Sequence, residues 1–326
     1  MVIATGFFDG VHLGHRLVIS QLVDYAEKMG QESMVVTFWP HPRNVLQKDA
    51  RVLRLLSTLE EKKRILHELG VGRVEVLPFT REFSRLTTRE YFRDIIVGKF
   101  GGKAVLLGYD NRVGSDSLAP EQIEVVAKEE GLEVIRTEAV LSDAVTISST
   151  RIRKALSEGD VEAAAGMLGY GYSLFGVVVA GNQLGRTIGF PTANMQLYEP
   201  LKIIPAPGVY EVDVETVGRK FKGMCNIGYR PTVSNASTLT VETNVFGLDE
   251  DIYGLDIRLT FVRRIRQEVR FGSVEALKEQ LARDKATILG VSGSWCIIEI
   301  ILVYLQQTTQ GSAVYRRSSV CFTVFR

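Results

Sequence analysis

The 326-residue sequence is poor in cysteine and has no apolar run long enough to cross a membrane. Its three cysteines are widely spaced, which excludes a paired metal-ligand motif and a disulfide framework and favours a reducing compartment. The apolar stretch 297–305 is interrupted by Glu299 and is too short to span a bilayer. Met1 precedes the first apolar run without a basic segment or a signal core. We therefore expect a cytoplasmic protein with no membrane partner.

The chain also lacks an excess of either charge and the two best-known nucleotide-binding loops. Its 39 lysine and arginine residues nearly balance 38 aspartate and glutamate residues, so no broad basic surface favours nucleic acid as a partner. Neither a Gly-x-x-x-x-Gly-Lys-Ser/Thr loop nor a Gly-x-Gly-x-x-Gly loop occurs. This disfavours a P-loop domain and an ordinary dinucleotide-binding domain.

The pattern of apolar residues predicts two domains of different class. In the first half, short β-rich runs alternate with helical segments, which is typical of an α/β domain with a parallel sheet. In the second half, β-rich runs are divided by glycine and proline, which predicts an antiparallel barrel followed by a helix at 274–283. We place the domains at 1–168 and 169–290 and regard 291–326 as an unmatched tail.

Two histidines, His12 and His15, lie three positions apart where the first predicted strand gives way to a helix. The helix N-terminus favours anions, and imidazoles there can donate to phosphate oxygens. Nearby glycines let the backbone approach a ligand closely. The run predicts a phosphate site, although two histidines in an ordinary turn are the alternative. Its other candidate phosphate-binding residues are Gly6, Phe7, Asp9 and Gly14.

Three further segments follow predicted strands, where open α/β sheets bind ligands. Their candidate residues are His41 in the first segment, Asp110 and Asn111 in the second, and Ser148, Ser149, Thr150 and Arg151 in the third. The third segment joins hydroxyls to a guanidinium at a helix start, a combination that can hold a polyphosphate. Alone it is equally compatible with an N-cap followed by exposed basic residues. Together with the two histidines it predicts a nucleotide clamp.

The most diagnostic string of the second half covers residues 184–194 and reads LGRTIGFPTAN. Gly185 leaves backbone room for a phosphate, and Arg186 offers a phosphate contact. Thr192 and Asn194 offer two oxygen ligands suited to Mg²⁺, which keeps waters and phosphate oxygens at its other positions. A plain turn is the alternative for this string.

The histidine-containing run and the run 148–151 resemble the adenylyltransferase domain of bacterial bifunctional riboflavin kinase/FAD synthetases, a branch of the His-x-Gly-His nucleotidyltransferases. The resemblance implies that His12 and His15 stabilise charge on the α-phosphate of ATP while the FMN phosphate attacks and pyrophosphate leaves. That nucleophile is already an anion, so no general base is required. The flavin-binding residues that we assign are His41, Asp110 and Asn111.

The second half resembles riboflavin kinases over about 172–289, where further motif strings follow in the order of that family. Glu242 stands at the family's catalytic position on a predicted strand. A ribityl hydroxyl is a poor nucleophile at neutral pH, so a carboxylate that accepts its proton is useful. Without this motif Glu242 is a solvent-facing residue of an alternating strand.

These resemblances together imply a Rossmann-like nucleotidyltransferase domain with a parallel sheet, followed by an antiparallel β-barrel kinase domain with a C-terminal helix. The expected activity makes FMN from riboflavin and ATP, then FAD from FMN and ATP, with Mg²⁺ as cofactor and an oligomeric state left open. Two alternatives are another His-x-Gly-His nucleotidyltransferase fused to a flavin-binding barrel and an inactive flavin-binding regulator. A third, a tRNA-binding protein, is disfavoured by the balanced charge.

Overall fold

The computed structural model describes most of the chain. The described residues are 1–46, 53–108, 113–137, 147–181, 184–231 and 237–290. Our predictions for Asp110, Asn111 and the tail 291–326 lie outside these ranges. Contacts divide the chain into two compact units, Met1–Val269 and Arg270–Arg326.

The first part of unit Met1–Val269 contains a five-stranded parallel sheet. Its strands are β1 (Val2–Thr5), β2 (Ser33–Trp39), β3 (Arg73–Pro78), β4 (Ala104–Leu107) and β5 (Glu133–Arg136), in the order β3-β2-β1-β4-β5. All four residues of β1 are buried, as expected for a central strand covered on both faces. The strand order reverses between β1 and β4, and open α/β sheets bind ligands at the carboxyl ends beside such a reversal.

Helices connect these strands. They are α1 (Leu13–Lys28), α2 (Pro42–Leu46), α3 (Leu59–Glu68), α4 (Thr88–Glu90), which continues as a π-helix (Tyr91–Lys99), α5 (Pro120–Glu129), α6 (Ser149–Glu158) and α7 (Val161–Leu168), with 3-10 turns at Asp9–Val11 and Phe83–Arg85. A capping box starts α4, because the Thr87 side chain accepts from the Glu90 N–H and the Glu90 carboxylate accepts from the Thr87 N–H.

The second part of the same unit is a closed six-stranded antiparallel barrel. A four-residue helix, α8 (Leu184–Thr187), precedes its second strand. The strands are β6 (Ser173–Val179), β7 (Ala193–Leu197), β8 (Gly208–Thr216), β9 (Arg219–Pro231), β10 (Ser237–Val245) and β11 (Asp256–Arg266), in the order β10-β7-β6-β11-β8-β9. Alternate residues of β6 are buried, and inward side chains such as Leu174, Val212 and Leu259 form an apolar core.

The sheet and the barrel meet along a short parallel bridge beside a buried ion pair. The Leu55 N–H donates to the Leu201 carbonyl at 2.8 Å, and the Ile203 N–H donates to the Leu55 carbonyl at 3.0 Å. In the first turn of α3, which follows this bridge in the chain, the Glu61 carboxylate pairs with the Lys202 ammonium, and both side chains are buried. Burial lowers the pKa of Lys202. Charged groups on both parts are thus withdrawn from water at this contact.

The predicted fold class is confirmed, with differences at particular elements. The helix of unit Arg270–Arg326, α9 (Val274–Leu289), extends past the predicted end at residue 283. It ends at Gly290, which has a left-handed φ of 71°. The strand β5 has only four residues, and β7 starts inside the Pro-Thr-Ala-Asn string, so neither is singled out by its sequence pattern.

We expect Lys202→Met to destabilise the protein by about 3 kcal/mol, because it leaves the buried Glu61 carboxylate without its ammonium partner. The urea midpoint of unfolding, followed by circular dichroism, measures this loss. Lys220→Met is the matched control, since Lys220 pairs with Glu215 at 3.3 Å on an exposed surface. The control is expected to change stability by less than about 1 kcal/mol. Equal effects of the two variants would contradict the prediction.

The sequence of the tail generates a second prediction. It holds an Ile- and Val-rich apolar run at 297–305, and apolar runs of this composition favour self-association when they are exposed. We expect a chain that ends after Leu289 to keep its unfolding temperature and to scatter less light on heating. A large fall in the unfolding temperature would show that the tail packs against the rest of the protein.

Candidate active sites

The first candidate site is a cavity of about 330 Å³ at the carboxyl ends of β1 and β4. Its walls come from these strand ends, from the turn after β1, from the segment after β2 and from the start of α6. The predicted site residues among its lining are Gly6, Phe7, Asp9, His15, His41, Ser149 and Thr150. The cavity therefore lies at the strand-order reversal and collects residues that are far apart in the sequence.

The turn after β1 has an unusual backbone that one carboxylate holds in place. Phe8, Gly10 and Val11 all have left-handed φ angles, of 50°, 76° and 36°. The buried Asp9 carboxylate accepts hydrogen bonds from the backbone N–H groups of Leu56 at 3.1 Å and Ser57 at 3.2 Å. Asp9 thereby fastens the turn to the segment that leads into α3.

The two histidines stack on each other at the start of α1. His12 is the N-cap, and its Nδ1 accepts from the His15 N–H at 3.4 Å, which leaves Nε2 to carry the proton of a neutral ring. The ring centroids are 3.6 Å apart at 17°. A Cβ at Gly14 would lie 3.3 Å from the His12 ring, so this glycine leaves space for the stack.

His15 is a neutral imidazole with a free ring nitrogen. Burial is the largest cause that lowers the pKa of His15 well below its ordinary value of 6.5, followed by electrostatic interactions with His12 and with the Lys62 ammonium. Its Nδ1 is buried and has no hydrogen-bond partner within the described part of the chain. A buried polar atom of this kind costs free energy unless a ligand or water satisfies it. The site therefore presents an unused hydrogen-bonding position to a bound molecule.

Lys62 and His41 flank the aromatic ring of Phe7. The buried Lys62 ammonium lies 3.7 Å from the Phe7 ring centroid, and the His41 ring contacts Phe7 edge-on at 3.9 Å. Burial lowers the pKa of Lys62 to about 8. Burial and then the charges of Arg153, Lys62 and Arg43 lower the pKa of His41 to about 4. At neutral pH His41 is uncharged.

Lys62 is absent from our predicted site residues, yet the sequence holds a signal for it. It precedes Ile65 by three positions and Leu66 by four, so it falls on the apolar face of α3. Lysine is rarely buried without a partner, so a lysine on the apolar face of a helix indicates an interaction inside the protein.

The start of α6 contributes both hydroxyls and a guanidinium. Ser148 is the N-cap and accepts from the Arg151 N–H at 3.4 Å, while the Ser149 hydroxyl donates to the Asp9 carbonyl at 3.2 Å. The Arg151 side chain is exposed, whereas Arg153 lines the cavity and pairs with the Asp9 carboxylate. The guanidinium in the cavity wall is thus two residues further along than the predicted one.

The second candidate site is a cavity of about 330 Å³ at one end of the barrel. Inward residues of the strands, including Thr243 and Val245 on β10, form its floor, and Thr192 forms part of its wall. The Asn244 amide donates to the Pro191 carbonyl at 2.6 Å and so fixes the loop before β7. A Cβ at Gly185 would collide with the Phe190 carbonyl, so the loop requires glycine there. The Arg186 side chain lies outside the described part.

Glu242 lies on the other face of the strand that forms this floor. Its Cα partners are Asn194 on β7 and Asn226 on β9, so these side chains share one face of the sheet. Residues 243 and 245 line the cavity, and side chains alternate along a strand. The structure therefore brings Glu242 and Asn194 together at the barrel rim, with Thr192 on the cavity side. The Glu242 carboxylate accepts from the Thr240 hydroxyl at 3.3 Å.

Cys225 is a core residue. Burial raises the pKa of its thiol to about 12, so it stays protonated at neutral pH and is no nucleophile.

The described part of the chain contains no helix that is both long and apolar enough to span a membrane. A crystal structure described as a macrolide-efflux protein from Streptococcus pneumoniae is similar to this chain, with a TM-score of 0.82 and 34% identity. The similarity covers 88% of this chain and 93% of that chain. This fold, including the succession of sheet and barrel, is therefore shared with a solved protein.

Two family models match the two halves separately. One described as FAD synthetase matches residues 1–151, and one described as riboflavin kinase matches residues 168–291. A curated relative from Bacillus subtilis, named bifunctional riboflavin kinase/FMN adenylyltransferase, is 37% identical over 87% of this chain and 90% of its own length. A relative of the same name from Escherichia coli is 37% identical over 88% of this chain and 91% of its own length. The chain therefore belongs to the bifunctional riboflavin kinase/FMN adenylyltransferase family.

Proposed function

We propose that the chain phosphorylates riboflavin to FMN with ATP in its barrel, then adenylylates FMN to FAD in its α/β part with release of pyrophosphate. The observation that carries this proposal is the presence of two separate cavities, one at the histidine turn and one at the Pro-Thr-Ala-Asn loop. Each lies in the half that matches the corresponding family model. The small-molecule partners are riboflavin, FMN and ATP.

In the α/β cavity an oxygen of the FMN phosphate forms a bond to the α-phosphorus of ATP, and the bond from that phosphorus to the bridging oxygen breaks. His12 and His15 donate hydrogen bonds to the oxygens on which charge builds up. The unpartnered Nδ1 of His15 supports this role. The hydroxyls and N–H groups at the start of α6, together with the Arg153 guanidinium, hold the departing pyrophosphate. FMN is already ionised, so positioning and electrostatics suffice.

On the face of the sheet that Glu242 shares with Asn194, the Glu242 carboxylate accepts the proton of the ribityl hydroxyl while that oxygen bonds to the γ-phosphorus and ADP leaves. Gly185 and Arg186 border the phosphates. Among the described residues no cluster of three or more His, Cys, Asp or Glu could hold a metal alone. Thr192 on the cavity wall and Asn194 beside Glu242 would each offer one oxygen to a Mg²⁺ ion bound with ATP, and this ion would neutralise phosphate charge.

We also propose the domain limits 1–168 and 169–290, which the separate family matches support. A cytoplasmic location stays a prediction that rests on the sparse cysteines. The direct experiment incubates the protein with riboflavin, ATP and Mg²⁺ and separates the flavins by chromatography. Formation of neither FMN nor FAD would favour the inactive-regulator alternative.

We expect His15→Ala to abolish detectable FAD formation from FMN, because one preorganised donor contributes about 2–4 kcal/mol at the transition state. FMN formation from riboflavin should continue, since the second cavity lies in the barrel. Chromatography of the products under saturating ATP measures both rates. Normal FAD synthesis by a folded His15→Ala protein would contradict the role of this histidine.

We expect Glu242→Gln to have the converse effect. The amide keeps the shape of the side chain but accepts no proton, so riboflavin phosphorylation should fall about 100-fold or more. Adenylylation of supplied FMN should be unchanged. Glu215→Gln is the control, because Glu215 is an exposed barrel carboxylate paired with Lys220. Kinase turnover near the unmodified rate in Glu242→Gln would place the base elsewhere.

A further inference from the structure

The mechanism above leaves one buried cation, Lys62, without a role. Its side chain is 1% exposed, and in the part of the chain that the structure describes no carboxylate forms an ion pair with its Nζ. Lys202 is comparably buried but has the Glu61 carboxylate as its partner. Burial of an unpaired charge is costly, so proteins keep such a charge where a ligand completes the pair.

The contacts of Lys62 place its ammonium next to Phe7, a residue that lines the α/β cavity. Its Nζ donates to the Thr37 hydroxyl at 3.3 Å, and that hydroxyl donates to the Phe7 carbonyl at 3.2 Å. The same Nζ lies over the face of the Phe7 ring, and this ring lines the cavity. The positive charge of Lys62 also contributes to the lowered pKa values of His15 and His41, two lining residues. The charge of Lys62 therefore acts electrostatically on groups that line the cavity.

The neighbouring carboxylate does not neutralise Lys62. Asp9 is the carboxylate whose charge raises the pKa of Lys62, but it pairs with Arg153 and accepts two backbone N–H groups. Arg43 and Arg153 line the cavity and Lys62 lies against the Phe7 ring, whereas Asp9 is the one carboxylate among the lining residues that the structure describes. This excess of positive charge favours an anion in the cavity.

We propose that the Lys62 ammonium is the counter-charge for phosphate groups bound in the α/β cavity, acting through its field across the Phe7 ring. This inference rests on the proposed adenylyltransferase function of the same cavity. Lys62 is on this account an electrostatic positioning residue, since the ring separates it from the reacting atoms. The ligand class is a polyphosphate, either the triphosphate of ATP or the pyrophosphate that leaves.

The test is the affinity for inorganic pyrophosphate of the full chain, measured by isothermal titration calorimetry. Lys62→Met keeps the length of the side chain and its contact with Phe7 but removes the charge. We expect the dissociation constant to rise at least tenfold, about 1.4 kcal/mol, and FAD formation to slow in parallel. FMN formation from riboflavin should be unchanged. The unfolding temperature should hold or rise, because replacing a buried charge with an apolar group is neutral or stabilising.

The matched control is Lys63→Met, on the same helix. Lys63 is partly exposed and pairs with Glu60 at 3.1 Å, so this variant should bind pyrophosphate like the unmodified chain. Lys62→Arg keeps the charge and should retain affinity within about threefold. If Lys62→Met does not fold, Lys62→Gln replaces it in the same titration.

Unchanged pyrophosphate affinity in Lys62→Met, with a lower unfolding temperature, would overturn the proposal and leave Lys62 as a support for Phe7. Equal weakening in Lys62→Met and Lys62→Arg would also overturn it, because packing rather than charge would then be responsible. Failure of the proposed function is a separate result: the unmodified chain would form no FAD from FMN and ATP.

Discussion

The α/β cavity depends on the buried carboxylate of Asp9. A carboxylate removed from water needs several donors to compensate for lost hydration, and Asp9 finds them in the Leu56 and Ser57 N–H groups and the Arg153 guanidinium. These donors come from the segment before α3 and from α6. Satisfying one charge thus fixes three chain segments around the cavity. The adjoining Leu55 extends the same segment to the barrel through its backbone hydrogen bonds.

The electrostatics of the cavity follow from this arrangement. Burial, and then the cations around the cavity, disfavour a positive charge on His15 and His41, so both stay neutral although they line a candidate site for anions. Neutral imidazoles donate hydrogen bonds without adding charge that solvent would have to stabilise. The site can therefore attract phosphate with fixed cations and orient it with uncharged donors, two tasks carried by different residues.

Most of the fold, and the histidine and Pro-Thr-Ala-Asn strings that border the two cavities, are predictable from the sequence, because apolar periodicity and glycine-rich strings are local signals. The residues that are not predictable depend on contacts between distant segments. Arg153 rather than Arg151 reaches the cavity because the turn of α6 decides which guanidinium meets Asp9. The separation of Glu242 from the cavity floor follows from strand register, which pairs Glu242 with Asn194. Asp110 and Asn111 lie outside the described residues, so their flavin contacts stay predictions.

The adjacent residues Glu61 and Lys62 face the two halves of the protein, Glu61 toward Lys202 of the barrel and Lys62 toward Phe7 of the cavity. If the halves were produced as separate chains, Glu61 and Lys202 would each regain water, and rejoining would have to remove it again. Such a pair adds little to affinity but strongly penalises misaligned docking, since either charge would then be buried alone. We therefore expect the Glu61–Lys202 pair to favour one relative alignment of the two halves. A gene fusion that exchanges one half must then supply the charge that pairs with Glu61 or with Lys202.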